Sequence, residues 1–328
     1  MSESSPKLKV FSSPLNMKRV FTESPPVLDQ VLPGLLAGSA GICVAPGGFS
    51  KTMLLLQTCF ALATGQAICG GLFEDHSAGA DAARTPAKVV MVCAEESQEI
   101  LWHRLHAIAA HVLTRSPALN KEERENMLRL LDQHLVLFGL SGQQSVALLD
   151  SNHEPTSSFE ELLKVCHSAR LVVLDPLRQF HHGDENSSLA MNAVSQLLQY
   201  LAKRTGAAVV AAHHTNRSST IDGHGHSSDA SRGSTALNDG VRWHINLSRP
   251  APELLRSYHI TQEDESQYVV LSYPKANYMA RPKQFSLLRR MNGGVLDLVQ
   301  PPQDGGVSGN ASARGRSPSS RQTRGVKA

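Results

Sequence analysis

At 328 residues and 41% hydrophobic side chains, the chain is long enough to bury a substantial core, as one large domain or two smaller ones. Its net charge of +3 is too small to declare a nucleic-acid partner, so any such partner must be argued from local features. No apolar stretch approaches the roughly 20 residues of a membrane span, the N-terminus lacks the organisation of a secretory signal, and the five cysteines stand singly without a CxxC pair; these features predict a cytoplasmic protein, away from membranes, with reduced core thiols.

Residues 1–24 are polar, lack sustained periodicity and end before Pro25-Pro26, which predicts a flexible arm. Short apolar runs then alternate with helical segments. GICVA (41–45) precedes a helix from Lys51, and KVVMVCA (88–94) precedes a helix through Trp102 and Leu105. HLVLFGL (134–140), LVVLD (171–175), a helix over 188–204 and AAVVAAH (207–213) continue the pattern. Apolar strands interleaved with helices imply a mostly parallel, twisted sheet with helices on both faces. WHINLS (243–248), QYVVLSY (267–273), FSLLRR (285–290) and GVLDLV (294–299) have few helices between them and predict antiparallel strands finishing that sheet. The expectation is one α/β domain over residues 25–299. The Gly/Ser/His stretch 215–235 is a long loop after a strand. The tail, 300–328, is rich in Pro, Gly, Ser and Arg, and predicts disorder with a solubilising role or loose phosphate contacts.

The run APGGFSKTM between GICVA and its helix carries the first chemistry. A phosphate cradle needs inward-pointing backbone N–H groups at a helix N-terminus, glycines for close approach, a lysine for the β- and γ-phosphates and a hydroxyl for Mg²⁺. Pro46, Gly47, Gly48, Phe49, Ser50, Lys51, Thr52 and Met53 supply those parts in order. Against the pattern GxxxxGK[ST], Ala45 replaces the first glycine and Ser50 the second. A Cβ at position 50 is expected to crowd the phosphates or alter the loop's dihedrals, at a cost of about 1 kcal/mol.

LVVLD puts Asp175 at a strand end, where a carboxylate can hold Mg²⁺ beside Thr52 or, more blandly, cap a helix. KVVMVC ends in Ala94-Glu95-Glu96. Glu95 reads as the base that orients and deprotonates an attacking water, whereas Glu96 reads as a helix cap. His213 and His214 close another strand, either as satisfied strand-end side chains or as part of a site. His224 and His226 form an HxH without partners at metal-ligand spacing, so no metal other than Mg²⁺ is expected.

PPVLDQVLPGLLAGSAGICVAPGGFSKTMLLLQ, VVMVCAEE followed by HRLHAI, LVVLDPLRQFH with DEN close behind, VVAAHH, SRGST, VRW and PKANY occur in the order found in hexameric replicative helicases of the RepA type from broad-host-range plasmids. The chain resembles that family from about Pro25 to Leu298. The resemblance implies a RecA-like P-loop ATPase fold, with ATP and Mg²⁺ held by Lys51, Thr52 and Asp175 and with Glu95 as catalytic base. It also implies that His214 senses the γ-phosphate, and that Arg242 enters the neighbouring subunit's site as an arginine finger, with Lys275 as a second cation there. Without the resemblance, Arg242 would read as a surface arginine beside a half-buried Trp243.

In such rings the segments 176–188 and 215–235 face the central channel, offering Arg178, Arg217 and Arg232 to the phosphates of single-stranded DNA. The implied function is an ATP-driven DNA helicase, a homohexamer moving 5′→3′ at plasmid origins alongside an initiator and a primase. The alternative is a non-translocating RecA-like regulatory or nucleotide-binding ATPase, for which Ser50 is the best support. A P-loop kinase is a third reading, disfavoured because no segment resembles an acceptor-binding lid.

Overall fold

The computed structural model describes residues 14–73, 85–143, 146–214, 235–278 and 285–302. A small antiparallel hairpin, β1 (Gln30–Leu32) and β2 (Leu35–Leu36), precedes the main sheet. That sheet takes β3 (Ala40–Ala45), β4 (Val89–Cys93), β5 (Leu135–Gly139), β6 (Leu171–Asp175), β7 (Ala208–His214), β8 (Trp243–Ser248), β9 (Tyr268–Ala276), β10 (Phe285–Arg290) and β11 (Leu296–Leu298). Their spatial order is β11-β10-β9-β8-β3-β7-β6-β4-β5. From β8 to β5 every pairing is parallel, while β9, β10 and β11 add on antiparallel. The expected antiparallel finish thus holds for those three. WHINLS (β8), expected among them, pairs parallel with β3, and only its outer edge is antiparallel, to β9.

The helices are α1 (Met17–Thr22), α2 (Lys51–Thr64), α3 (Gln98–Arg115), α4 (Lys121–His134), α5 (Ser157–Val165), α6 (Ser188–Thr205), α7 (Ala236–Gly240) and α8 (Pro252–Ser257). Strand residues alternate between two apolar layers. Cys43, Met91, Val173 and Val210 share one layer with Leu54 and Phe60 of α2, Ile108 of α3 and Met127 of α4. Ile42, Val90, Val172 and Val209 share the other with Phe159 of α5 and Met191, Val194 and Leu198 of α6. Coverage on both faces explains why β3, β4 and β6 are buried at every position, whereas β5, at the sheet edge, buries fully only Gly139.

Five of these helices escape the sequence reading: α1, α4, α5, α7 and α8. The expected arm contains α1, capped by Asn16 and braced by an Arg19–Glu23 pair, with no residue buried. The segment before β5 contains α4, whose Asn120 and Glu123 form a reciprocal capping box.

Gly41 matters to the centre of the sheet because a Cβ there would stand 2.7 Å from Cε3 of Trp243. Trp243 lies over that gap, and its indole N–H donates to the Pro33 carbonyl at 3.0 Å, tying the hairpin to the sheet. All five cysteines are free and buried, and burial pushes the thiols of Cys43, Cys59 and Cys166 up to about 12. Among the described residues, no helix is long and apolar enough to cross a membrane.

Candidate active site

β3 lies between β7 and β8, and residues 46–50 leave its C-terminal end to start α2. Ligands of open α/β sheets bind in the crevice outside the carboxyl ends of the strands. Gly48 has φ 79°, so a residue with a Cβ there is strained. Gly47 carries no such demand, and a Cβ at either glycine would meet nothing within 4 Å. Packing within the chain therefore does not explain Gly47, and the space beside it stays open to a close-approaching ligand. α2 offers unpaired N–H groups to that space, and its 14 residues end at Gly65 in the left-handed conformation. Lys51 is its first residue, 7% exposed, with Nζ donating to the His213 carbonyl at 3.2 Å.

Ser50 adopts φ 60° and ψ 22°, the left-handed region that glycine occupies freely. The departure from the usual glycine thus lies where backbone strain is real. Its side chain is also held: Oγ accepts a hydrogen bond from Nε of Arg290 at 3.0 Å. The other arms of that guanidinium donate to the Gly48 carbonyl at 3.0 Å and the Ser266 carbonyl at 2.7 Å, and its carbon lies 5.6 Å from the Phe49 ring centre. Sequence reasoning missed Arg290, since FSLLRR shows only a strand; no local motif distinguishes this arginine from Arg289.

The expected acids converge beside the loop. Asp175 ends β6 and is 5% exposed. Burial raises its carboxyl above the usual range, and Glu95 raises it further, while the Lys51 charge, a hydrogen bond from Thr52 and the His214 charge pull it down. A divalent cation would remove that conflict by favouring the ionised form, so Thr52 and Asp175 fit a magnesium nucleotide. Glu95 is exposed and follows β4, and Gln179 donates to its Oε1 at 3.3 Å. Glu96 pairs instead with Arg104 of α3 at 2.5 Å, and Ser97 caps that helix, so the capping expected of Glu96 falls to its neighbour. His214 ends β7, paired in register with Ala45 at the root of the loop.

Arg242 lies at the other end of the sheet. It precedes β8, is exposed, and its N–H donates to the Ala40 carbonyl at the start of β3. With about 3.3 Å of rise per residue, the two ends of β3 are roughly 16 Å apart. Arg242 is thus remote from its own chain's loop. Lys275 is committed locally: Nζ donates to the carbonyls of Asn238 at 2.8 Å and Asp239 at 3.4 Å, and burial followed by the Arg242 charge lowers its pKa. Arg178 is exposed just after β6, with Nη1 donating to the His181 carbonyl at 3.2 Å. Arg217 and Arg232 lie outside the described residues.

His181, after β6, His213 on β7 and His244 on β8 are all buried. Nδ1 of His213 lies 3.8 Å from Glu185. A cleft of about 540 Å³ opens between α3 and the β10–β11 turn, lined by Ala107, His111, Arg289, Arg290, Met291 and Gly293 among others. Arg290 therefore belongs to both the cleft wall and the loop.

A family model described as AAA domain matches residues 5–220. The ATPase domain of G-40P aligns over 80% of this chain and 86% of its own, with TM-score 0.50 and 14% identity. The RadB recombinase aligns over 81% of this chain and 93% of its own, with TM-score 0.46 and 18% identity. At such identities the likeness is one of fold: a RecA-like P-loop ATPase core built on a large, mostly parallel sheet.

Proposed function

This chain belongs to the AAA domain family, and on that premise we propose that it is an ATP-driven DNA helicase, a homohexameric ring that moves along single-stranded DNA in plasmid-type replication. The remoteness of Arg242 from its own phosphate loop carries this reading. An arginine that cannot reach the site of its own chain is free to complete the site of the next, which makes hydrolysis depend on assembly.

In this reading Pro46 to Met53 wrap the phosphates, with Lys51 turning from the His213 carbonyl to the β- and γ-oxygens. Thr52 and Asp175 would hold a Mg²⁺ ion, which would supply neutralisation of the charge that develops on the phosphates. Glu95, kept in place by Gln179, orients the attacking water and accepts its proton. Arg242 of one subunit stabilises the transferred phosphoryl group in the next. His214, beside Asp175 and at the start of the 215–235 segment, transmits phosphate occupancy to residues that face the channel. Arg178, Arg217 and Arg232 grip the DNA backbone there.

Steady-state ATPase with and without single-stranded DNA, combined with a native mass measurement and a fork-unwinding assay, tests the proposal. DNA-stimulated turnover by a hexamer that opens the fork is expected. The left-handed Ser50 favours a second reading, a regulatory ATPase that binds nucleotide without translocating. Slow turnover, indifferent to DNA and without unwinding, would select that reading.

A further inference from the structure

We propose that Arg290 is a positioning residue for the phosphate loop, holding Ser50 in the left-handed conformation and thereby making serine workable where glycine is usual. The inference rests on the reading of residues 46–52 as a nucleotide site.

Three observations combine. First, Ser50 has φ 60°, a left-handed conformation that strains a residue with a Cβ unless its surroundings enforce it. Second, one guanidinium contacts three consecutive loop residues: it stacks near Phe49 and donates to the Ser50 hydroxyl and the Gly48 carbonyl. Third, the guanidinium is itself anchored. Its remaining arm donates to the Ser266 carbonyl, and its backbone sits at the end of β10 in register with Leu296 of β11. Arginine suits this work because its planar fork is pre-organised and always charged. Pinning the Gly48 carbonyl and the Ser50 side chain fixes both ends of the peptide segment that leads into Lys51. The loop is then set before the nucleotide arrives, so less ordering is left to oppose binding.

The claim separates from a general structural role by its dependence on Ser50. Full-length wild type, Arg290→Ala, Ser50→Gly and the double variant are titrated with a fluorescent Mg-ADP analogue, and KM and kcat for ATP are measured in parallel. With serine at position 50, Arg290→Ala is expected to weaken binding about fivefold to tenfold and to raise KM more than it lowers kcat. With glycine at position 50, the same substitution is expected to cost less than about twofold, because no left-handed side chain remains to be held. Ser50→Ala keeps the strain and removes the acceptor, so it should weaken binding about as much as Arg290→Ala does. It also supplies the test if Arg290→Ala does not fold. Equal losses in both backgrounds, or no loss in Arg290→Ala and Ser50→Ala, would overturn the proposal. A wild type that binds no nucleotide would refute the nucleotide site itself and this inference with it, a result distinct from a binding wild type without coupling.

Discussion

The Ser50 hydroxyl and the Arg290 guanidinium meet at 3.0 Å although 240 positions separate them in the chain. Serine in the phosphate loop therefore comes with a partner from the far end of the sheet. The loop is an adapted version of the usual one, in which an arginine contact offsets part of what glycine would supply by its conformational freedom.

Lys51, at the start of α2, and Glu95, just after β4, both act on the Asp175 carboxyl, and their loss should differ in kind. Lys51→Ala is expected to abolish turnover and weaken nucleotide binding by more than about tenfold, since the charge facing the β- and γ-phosphates is removed. Glu95→Ala is expected to lower kcat about 10²- to 10⁴-fold while leaving binding largely intact. Equilibrium binding beside steady-state turnover separates the two.

Gly41 leaves room for Trp243, whose Cε3 would lie 2.7 Å from an added Cβ and whose carbonyl would lie at 3.0 Å. Gly41→Ala should destabilise the fold by about 1–3 kcal/mol through overpacking at the centre of the sheet. Urea unfolding measures it, and an unchanged midpoint would show that the tryptophan moves aside without cost.

Acid should weaken the fold through its buried histidines. Burial lowers His181 and His244 to about 4 from an ordinary 6.5, helped by Arg178 and His213 at the first and by His213 and Lys275 at the second. Between those values the unfolded chain takes up a proton that the native chain refuses. Their contribution is fully present above pH 6.5 and is lost as pH falls toward 4, at up to about 1.4 kcal/mol per pH unit for each. The raised carboxyl of Asp175 acts in the opposite direction, so the test is a difference. The stability of His244→Asn should fall less steeply between pH 7 and pH 5 than that of wild type, and parallel slopes would exclude His244 as a source.

The proposed DNA grip rests on position at the loop end of the sheet, where Arg178 is exposed. Alanine at Arg178, Arg217 and Arg232 together should weaken single-strand binding and reduce its salt dependence, since each lost phosphate contact lowers the slope of log K against log[salt] by about 0.7. Unchanged affinity in a salt titration would rule these residues out.

Much of this was legible in the sequence. Parallel strands buried on both faces read as continuous apolar runs, so β3, β4, β6 and β7 could be placed nearly to the residue, and with them the acids at their ends. Thr52, Glu95 and His214 each act on the carboxyl of Asp175. Polar elements were harder to place. β5, although partly exposed, was still read from HLVLFGL, whereas α4 is held by a capping box and largely polar and carries no strong apolar signature. Arg290 could not be read at all: its partners at Gly48 and Ser50 become neighbours only when β10 joins the sheet. The same limit applies to Lys275, which resembles an interface cation in sequence yet is spent on the carbonyls that end α7.

The central claim is that two copies share each site, and subunit mixing tests it most directly. Lys51→Ala and Arg242→Ala proteins, each inactive alone, are dissociated, combined in equal amounts and reassembled before ATPase is measured. Random closure of a ring joins an intact Lys51 cradle to an intact Arg242 at about one seam in four, so activity should reappear at a fraction of wild type. A mixture as inactive as its parts, or an Arg242→Ala protein that hydrolyses ATP normally by itself, would contradict the account.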